Sequence, residues 1–240
     1  MHGVEGKDNR QQDLRGSAKT QADFHPRTRC WTCYKPEPLC LCGRVPEVNN
    51  RTRITLFQHP RERFHAIGTA RLARLGLSNL RFEIPNAPVT RSLALEPDLS
   101  PGTGLLFPGP GALDLSNLPS SERPTGLVVL DGTWGQAGKL YRANPWLDGL
   151  PRYVLTPASP SRYRIRRAPR AQFISTIEAI VEALKILEPE TPGLDGLLEA
   201  FDTMIEAQMA FSHRAPRLPL RKIRRQGRRS ESVEDRLARD

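Results

Sequence analysis

The stretch Leu127-Val128-Val129-Leu130-Asp131, followed at once by Gly132-Thr133-Trp134, decides how this chain is read. A continuous apolar run that ends on a carboxylate and a glycine is the pattern of a central strand covered on both faces, because alternation is needed only where one face meets water. Beyond the Asp131 corner the chain reads as helical to about Arg142. Working outward, residues 53–58 (RITLFQ) predict a strand, 65–75 a short helix ended by Gly76, and 80–84 a strand closed by Pro85. Residues 103–107 predict a third short strand before a sharp turn at Pro108-Gly109-Pro110-Gly111, and the Gly-, Pro- and Ser-rich segment 109–125 reads as a surface loop. A short strand at 153–155 leads into a loop over 156–169. Ile177, Ile180, Val181, Leu184 and Leu187 then keep a helical apolar stripe, and Ser175 with Glu178 forms a capping box at its start. A last helix over about 194–212 carries Leu197, Phe201, Met204 and Ile205 on one face. Strands alternating with helices predict an α/β domain whose mostly parallel sheet is flanked by helices.

At 240 residues the chain is one compact domain with tails. Hydrophobic residues are 38%, and Pro at 22 exceeds Gly at 18, which fits a folded protein with proline-punctuated loops. No apolar run approaches the ~20 residues of a membrane span, and the first residues lack the apolar stretch of a secretory signal. A soluble, cytoplasmic protein is expected. The net charge is +10. Eight basic residues and no acid lie between Arg214 and Arg229, and five arginines with Tyr163 lie between Arg162 and Arg170. Such clusters favour a polyanion, since each phosphate contact releases condensed counterions. A solubilising tail is the alternative for the 214–229 run.

Cys30, Cys33, Cys40 and Cys42 are the four cysteines of the chain. Four thiolates satisfy tetrahedral zinc and leave no open position for water, so a metal here is structural. Reduced structural thiols and a labile disulfide are the alternatives. Asp131 stands where open α/β sheets bind ligands, outside the carboxyl end of a strand. Its carboxylate can take up a proton or bind a ligand; alternatively Asp131 and Thr133 merely cap the next helix. The stretch Gln58-His59-Pro60-Arg61-Glu62 at the end of the first strand is a further candidate, in which His59 has the same two readings, structural or functional. No GxGxxG, P-loop, GxSxG or HExxH motif is present, which removes support for dinucleotide oxidoreductases, NTPases, serine hydrolases and zincins.

Taken together, CWTCYKPEPLCLC at 30–42, NRTRITLFQHPRERFHAIGTARL at 50–72, LLFPG at 105–109, LDGTWGQAGKLYRANPW at 130–146, SRYRIRRAPR at 161–170 and STIEA at 175–179 resemble the DTW-domain family, the tRNA-uridine aminocarboxypropyltransferases. The resemblance covers about 28–211. It implies transfer of the 3-amino-3-carboxypropyl group of S-adenosylmethionine to N3 of a tRNA uridine, with release of methylthioadenosine. It also implies a SPOUT-related fold with a trefoil knot. On this reading Asp131 is the catalytic carboxylate, as base or as orienting group. Phe107, Pro108, Gly109, Leu130, Gly132, Thr133, Trp134, Ser161, Tyr163, Thr176 and Glu178 are the candidate cofactor contacts. Ser161, Tyr163 and Arg166 hold either the methionine carboxylate or the tRNA backbone. Candidate RNA contacts are His59, Arg61, Lys139, Arg142, Arg162, Arg164, Arg166 and Arg167. The expected organisation is a lead over 1–28, a zinc knuckle over 29–48, a catalytic domain over 49–213 and a basic tail over 214–240. A SPOUT-like RNA methyltransferase and a non-catalytic zinc-knuckle RNA-binding protein are the competing readings.

Overall fold

A computed structural model of the chain describes residues 28–65, 67–85, 98–157, 159–165 and 173–214. Six strands form one sheet: β1 (Arg53–Gln58), β2 (Leu80–Glu83), β3 (Thr103–Leu106), β4 (Leu113–Asp114), β5 (Gly126–Asp131) and β6 (Arg152–Val154). Their order is β2-β1-β5-β3-β6-β4 and every pairing is parallel. The helices are α1 (Ala70–Gly76), α2 (Trp134–Arg142), α3 (Thr176–Leu187) and α4 (Leu194–Arg214). None among the described residues is long and apolar enough to cross a membrane.

All six residues of β5 are buried, as its unbroken apolar run requires. Side chains alternate across the sheet, so Leu127 and Val129 join one core and Val128 and Leu130 the other. The larger core sets Ile54, Leu56 and Leu127 among Ile177, Ile180 and Leu184 of α3 and Leu197 and Phe201 of α4. The smaller one sets Phe57, Leu105, Val128 and Leu130 against Ala137 and Leu140 of α2. Each fully buried aliphatic side chain contributes about 1.5–3 kcal/mol by leaving water. Gly76 is needed at the end of α1, since a Cβ there would lie 2.4 Å from Leu197 and 2.8 Å from the Pro46 carbonyl. Glu188, after α3, is buried and accepts the backbone N–H groups of Arg51 (2.8 Å) and Thr52 (3.1 Å), which fixes the entry to β1.

Two expectations change. The helix expected from residue 65 begins at Ala70, because the 3-10 turn Pro60–Glu62 and tight turns bonded Glu62 O to His65 N and His65 O to Gly68 N occupy the preceding residues. The expected loop 109–125 contains edge strand β4, which pairs with β6, and a 3-10 turn Leu115–Asn117 whose Leu115 is wholly buried. Two residues give no periodicity, so this strand exists only through its ladder partner. The 1–28 lead up to residue 27, the basic tail beyond residue 214, and Arg166, Arg167 and Arg170 lie outside the described residues.

Candidate functional site

The carboxyl ends of the central strands open into a cavity of about 810 Å³, within the ~300–1,000 Å³ usual for small-molecule sites. Asp131, the last residue of β5, is at its floor and is 5% exposed. Its register partner on β1 is Gln58, whose Nε2 donates to Asp131 Oδ2 at 2.9 Å. On the other side Thr176 Oγ1, at the first position of α3, donates to Oδ1 at 2.6 Å. Two neutral donors therefore hold a buried carboxylate in one orientation.

Thr133, not Asp131, caps α2: its hydroxyl accepts from Gln136 N (3.3 Å) while Gln136 Oε1 accepts from Thr133 N (2.6 Å). The N-termini of α2 and α3 both face the cavity, and their free N–H groups favour negative or electron-rich ligand atoms there. Leu106, Val129, Leu130 and Val154 supply apolar wall. Trp134 stacks on Phe173 with ring centroids 3.8 Å apart and closes one side.

The α3 cap box does further work. Glu178 accepts from Ser175 N (2.7 Å), Ser161 Oγ (2.7 Å) and Arg162 N (2.6 Å). This pins the chain around Ser161 against the start of α3. Tyr163 Oη donates to the carbonyl of Ile67 at 2.6 Å, tying the same segment to the turn before α1.

Of the expected cofactor contacts, Phe107, Pro108, Leu130, Gly132, Thr133 and Trp134 line this cavity, as do Ser161, Tyr163 and Thr176. Gly109 and Glu178 do not. Gly109 lies against the Arg152 guanidinium, and Glu178 stands one layer behind the wall. His59 is buried; its Nδ1 accepts from Arg61 N (3.2 Å) and its own N donates to the Asp131 carbonyl (2.9 Å). Burial, then the Arg61 charge, lowers its pKa from 6.5. Arg61, Lys139 and Arg142 are exposed. Arg162 pairs with Asp202 at 2.7 Å and Arg164 with Glu206 at 3.4 Å, both on α4. Gln58, Glu62, Thr156 and Phe173 also belong to the site; the first two fall within the candidate stretch 58–62, while sequence reasoning singles out neither Thr156 nor Phe173. Thr156 and Phe173 left no signal, and the contact of Gln58 with Asp131 follows from strand register.

At the N-terminal side, Cys30 and Cys42 Sγ are 3.7 Å apart, Cys33 and Cys40 Sγ are 3.7 Å apart, and all four sulfurs lie within 4.8 Å of one another. Tetrahedral zinc with Zn–S of ~2.3 Å requires sulfurs about 3.8 Å apart. The set fits that ion. Backbone N–H groups of Cys33 and Thr32 pull the Cys30 thiol down to about 6, whereas burial pushes Cys42 up to about 12.

The sequence profile of the DTW domain matches residues 27–209. The chain is 29% identical over 190 residues to tRNA-uridine aminocarboxypropyltransferase 2 of Drosophila melanogaster, covering 76% of each chain. It is 30% identical over 195 residues to the Mus musculus protein of the same name, covering 76% of this chain and 64% of that one. With tRNA-uridine aminocarboxypropyltransferase A of Arabidopsis thaliana the identity is 25% over 227 residues, 80% of this chain and 84% of the other. No solved structure matches.

Proposed function

The chain belongs to the DTW-domain family, and on that premise we propose that it is a tRNA-uridine aminocarboxypropyltransferase, moving the 3-amino-3-carboxypropyl group of S-adenosylmethionine to N3 of a tRNA uridine and releasing methylthioadenosine. The observation that carries this reading is Asp131 at the floor of the main cavity, fixed by Gln58 and Thr176. S-adenosylmethionine, when bound, supplies an aminocarboxypropyl carbon that its sulfonium has already activated. The cavity suits that molecule: its volume, apolar strand ends and converging helix N-termini match an adenosine with an attached amino acid. Phe107, Pro108, Leu130 and Gly132 would face the adenosine, and Ser161, Tyr163 and Thr176 the polar end, with Thr133 and Trp134 at the opening. Glu178 positions Ser161 without touching the ligand.

Asp131 takes the hydrogen bond from uridine N3–H and draws the proton off as N3 bonds to carbon. Gln58 and Thr176 keep the carboxylate aimed during that step. The four-cysteine group holds structural zinc. Exposed Arg61, Lys139 and Arg142 face the tRNA, with Arg166, Arg167 and the 214–240 tail as further basic contacts. Arg162 and Arg164 would reach RNA only by leaving Asp202 and Glu206.

The finer fold assignment, SPOUT-related and knotted, is supported by one feature of the sheet. Strands β3 and β4 are joined directly by residues 107–112, yet β6 is inserted between them. Leu106 and Leu113 are both level with Tyr153, so the joining loop straddles the exit of β6. Passage of the chain beneath that loop would make the trefoil, against the general rule that connections do not thread loops. A cytoplasmic location goes with this reading, since a four-thiolate zinc site suits a reducing compartment. The test is chromatography of the nucleoside released when purified protein meets S-adenosylmethionine and unmodified tRNA. Methylthioadenosine released only with tRNA is expected. S-adenosylhomocysteine would point to a methyltransferase, and neither product to a non-catalytic binder.

A further inference from the structure

A second cavity, of about 320 Å³, lies between the four-cysteine knuckle and α1. Three arginines line it: Arg63 after the Pro60–Glu62 turn, and Arg71 and Arg74 on α1. Arg71 is 7% exposed, yet among the described residues its Nη1 has no hydrogen-bond partner and its Nη2 reaches only the Arg63 carbonyl, at 3.4 Å. A buried guanidinium that lacks acceptors is costly, and an anion in the cavity would supply them. The knuckle builds the facing wall through Thr32 and Tyr34. Tyr34 adopts φ 55°, a left-handed conformation that costs a non-glycine residue about 1–2 kcal/mol. That conformation sets its ring 5.7 Å from the Arg71 guanidinium and edge-on to Phe64, which is itself 61% exposed beneath the Arg63 guanidinium. Cationic donors beside open aromatic rings are the equipment of a single-stranded RNA site.

The position matters as much as the composition. Gln58, Glu62 and Gly68 line this cavity, and Glu62 and Gly68 also line the larger one. Gln58 is the residue that donates to Asp131. Gln58 and the shared residues Glu62 and Gly68 thus connect the arginine-lined cavity to the one that holds the carboxylate.

We propose that the smaller cavity is a subsite for a backbone phosphate of the RNA, seated on the buried Arg71 guanidinium beside the uridine presented to Asp131. The proposal rests on the reading of the larger cavity given above. It gives the knuckle a role in recognition, since Tyr34 shapes the subsite, and it makes Arg63 and Arg74 the mouth that admits the strand.

The test is the salt dependence of tRNA binding by the full chain, using an unmodified tRNA transcript, for wild type, Arg71→Gln and the double variant Arg63→Ala/Arg74→Ala. Losing one phosphate contact makes the slope of log K against log salt shallower by about 0.7–0.9, and weakens binding by about tenfold at low salt. Both variants are expected to show this, with one zinc retained per chain. In Arg71→Gln the unliganded protein should melt no lower than wild type, because an unpaired buried charge has gone; a merely structural arginine would lower it. The double variant alters exposed residues, so it tests the subsite even where Arg71→Gln fails to fold. Wild-type affinity and slope in the double variant would overturn the proposal, as would loss of zinc alongside binding in Arg71→Gln. Inorganic phosphate that stabilises wild type but not Arg71→Gln, with tRNA slopes unchanged, would mean a free-anion site and also overturn it. Wild type that binds tRNA with these slopes but transfers nothing would sink the reaction reading and leave the subsite standing. Transfer by wild type with unchanged slopes in both variants would sink the subsite alone.

Discussion

Thr176 Oγ1 donates to Asp131 Oδ1 across 2.6 Å, joining the first residue of α3 to the last residue of β5, which lies 45 positions earlier in the chain. The bond ties the carboxylate at the centre of the sheet to the same helix start that Ser175 and Glu178 cap. The Asp131 carboxylate and the helix start that lines its cavity therefore share one anchor. Replacing Asp131 by Asn keeps size and the Thr176 contact but removes the acceptor for N3–H. Asp131→Asn should lower single-turnover transfer by about 10²–10⁴-fold, with tRNA binding by fluorescence anisotropy retained. A full transfer rate would remove Asp131 from the mechanism.

Glu178 tests the anchor from the other side. Glu178→Ala leaves the donors Ser161 Oγ, Arg162 N and Ser175 N without their acceptor. A loss of about 2–4 kcal/mol in urea unfolding is expected, with cofactor affinity falling further than in Glu178→Gln, which keeps one acceptor oxygen. Equal cofactor affinity in Glu178→Ala and wild type would show that the Ser161 segment needs no such support.

Zinc can be counted directly. Elemental analysis should give one zinc per chain, and Cys33→Ser, which removes a wholly buried ligand, should give substantially less. Because Cys33 and Leu41 belong to the main core, the loss should lower the melting temperature by about 10 °C. A metal-free protein that melts with the wild type would return the four cysteines to plain thiols.

His59 carries a pH dependence whose sign follows from its depressed pKa. The folded state binds the proton less readily than the unfolded chain, so this stabilising contribution is complete above about pH 6.5 and is lost as pH falls below it. Asn in place of His59 can still accept from Arg61 N, yet it does not titrate. Between pH 7.5 and 5.5, unfolding free energy should fall less in His59→Asn than in wild type. Parallel losses would assign the acid sensitivity elsewhere.

Much of the scaffold was legible because its signals are local. The run 127–131 announces a doubly covered strand, Cys30 to Cys42 announce a cluster of four thiols, and Ser175 with Glu178 announces a helix start. What stayed hidden depends on long-range register. Edge strand β4 is two residues whose only cause is its pairing with β6. Gln58 becomes an orienting residue because β1 and β5 set it beside Asp131. Glu178 reads as a cap, and its hold on Ser161 spans a loop of irregular length. Glu188 and Arg71 look like ordinary solvated helix charges until the fold buries them, one against the entry to β1 and the other in an arginine-lined cavity.

The most direct measurement is mass spectrometry of the nucleosides digested from unmodified tRNA after incubation with the full-length protein and S-adenosylmethionine, beside the same incubation with Asp131→Asn. The account predicts a uridine that gains an aminocarboxypropyl group with wild type, and at least a hundredfold less of it with the variant. A methyl gain, or no gain from a protein that binds tRNA and retains its zinc, would contradict it.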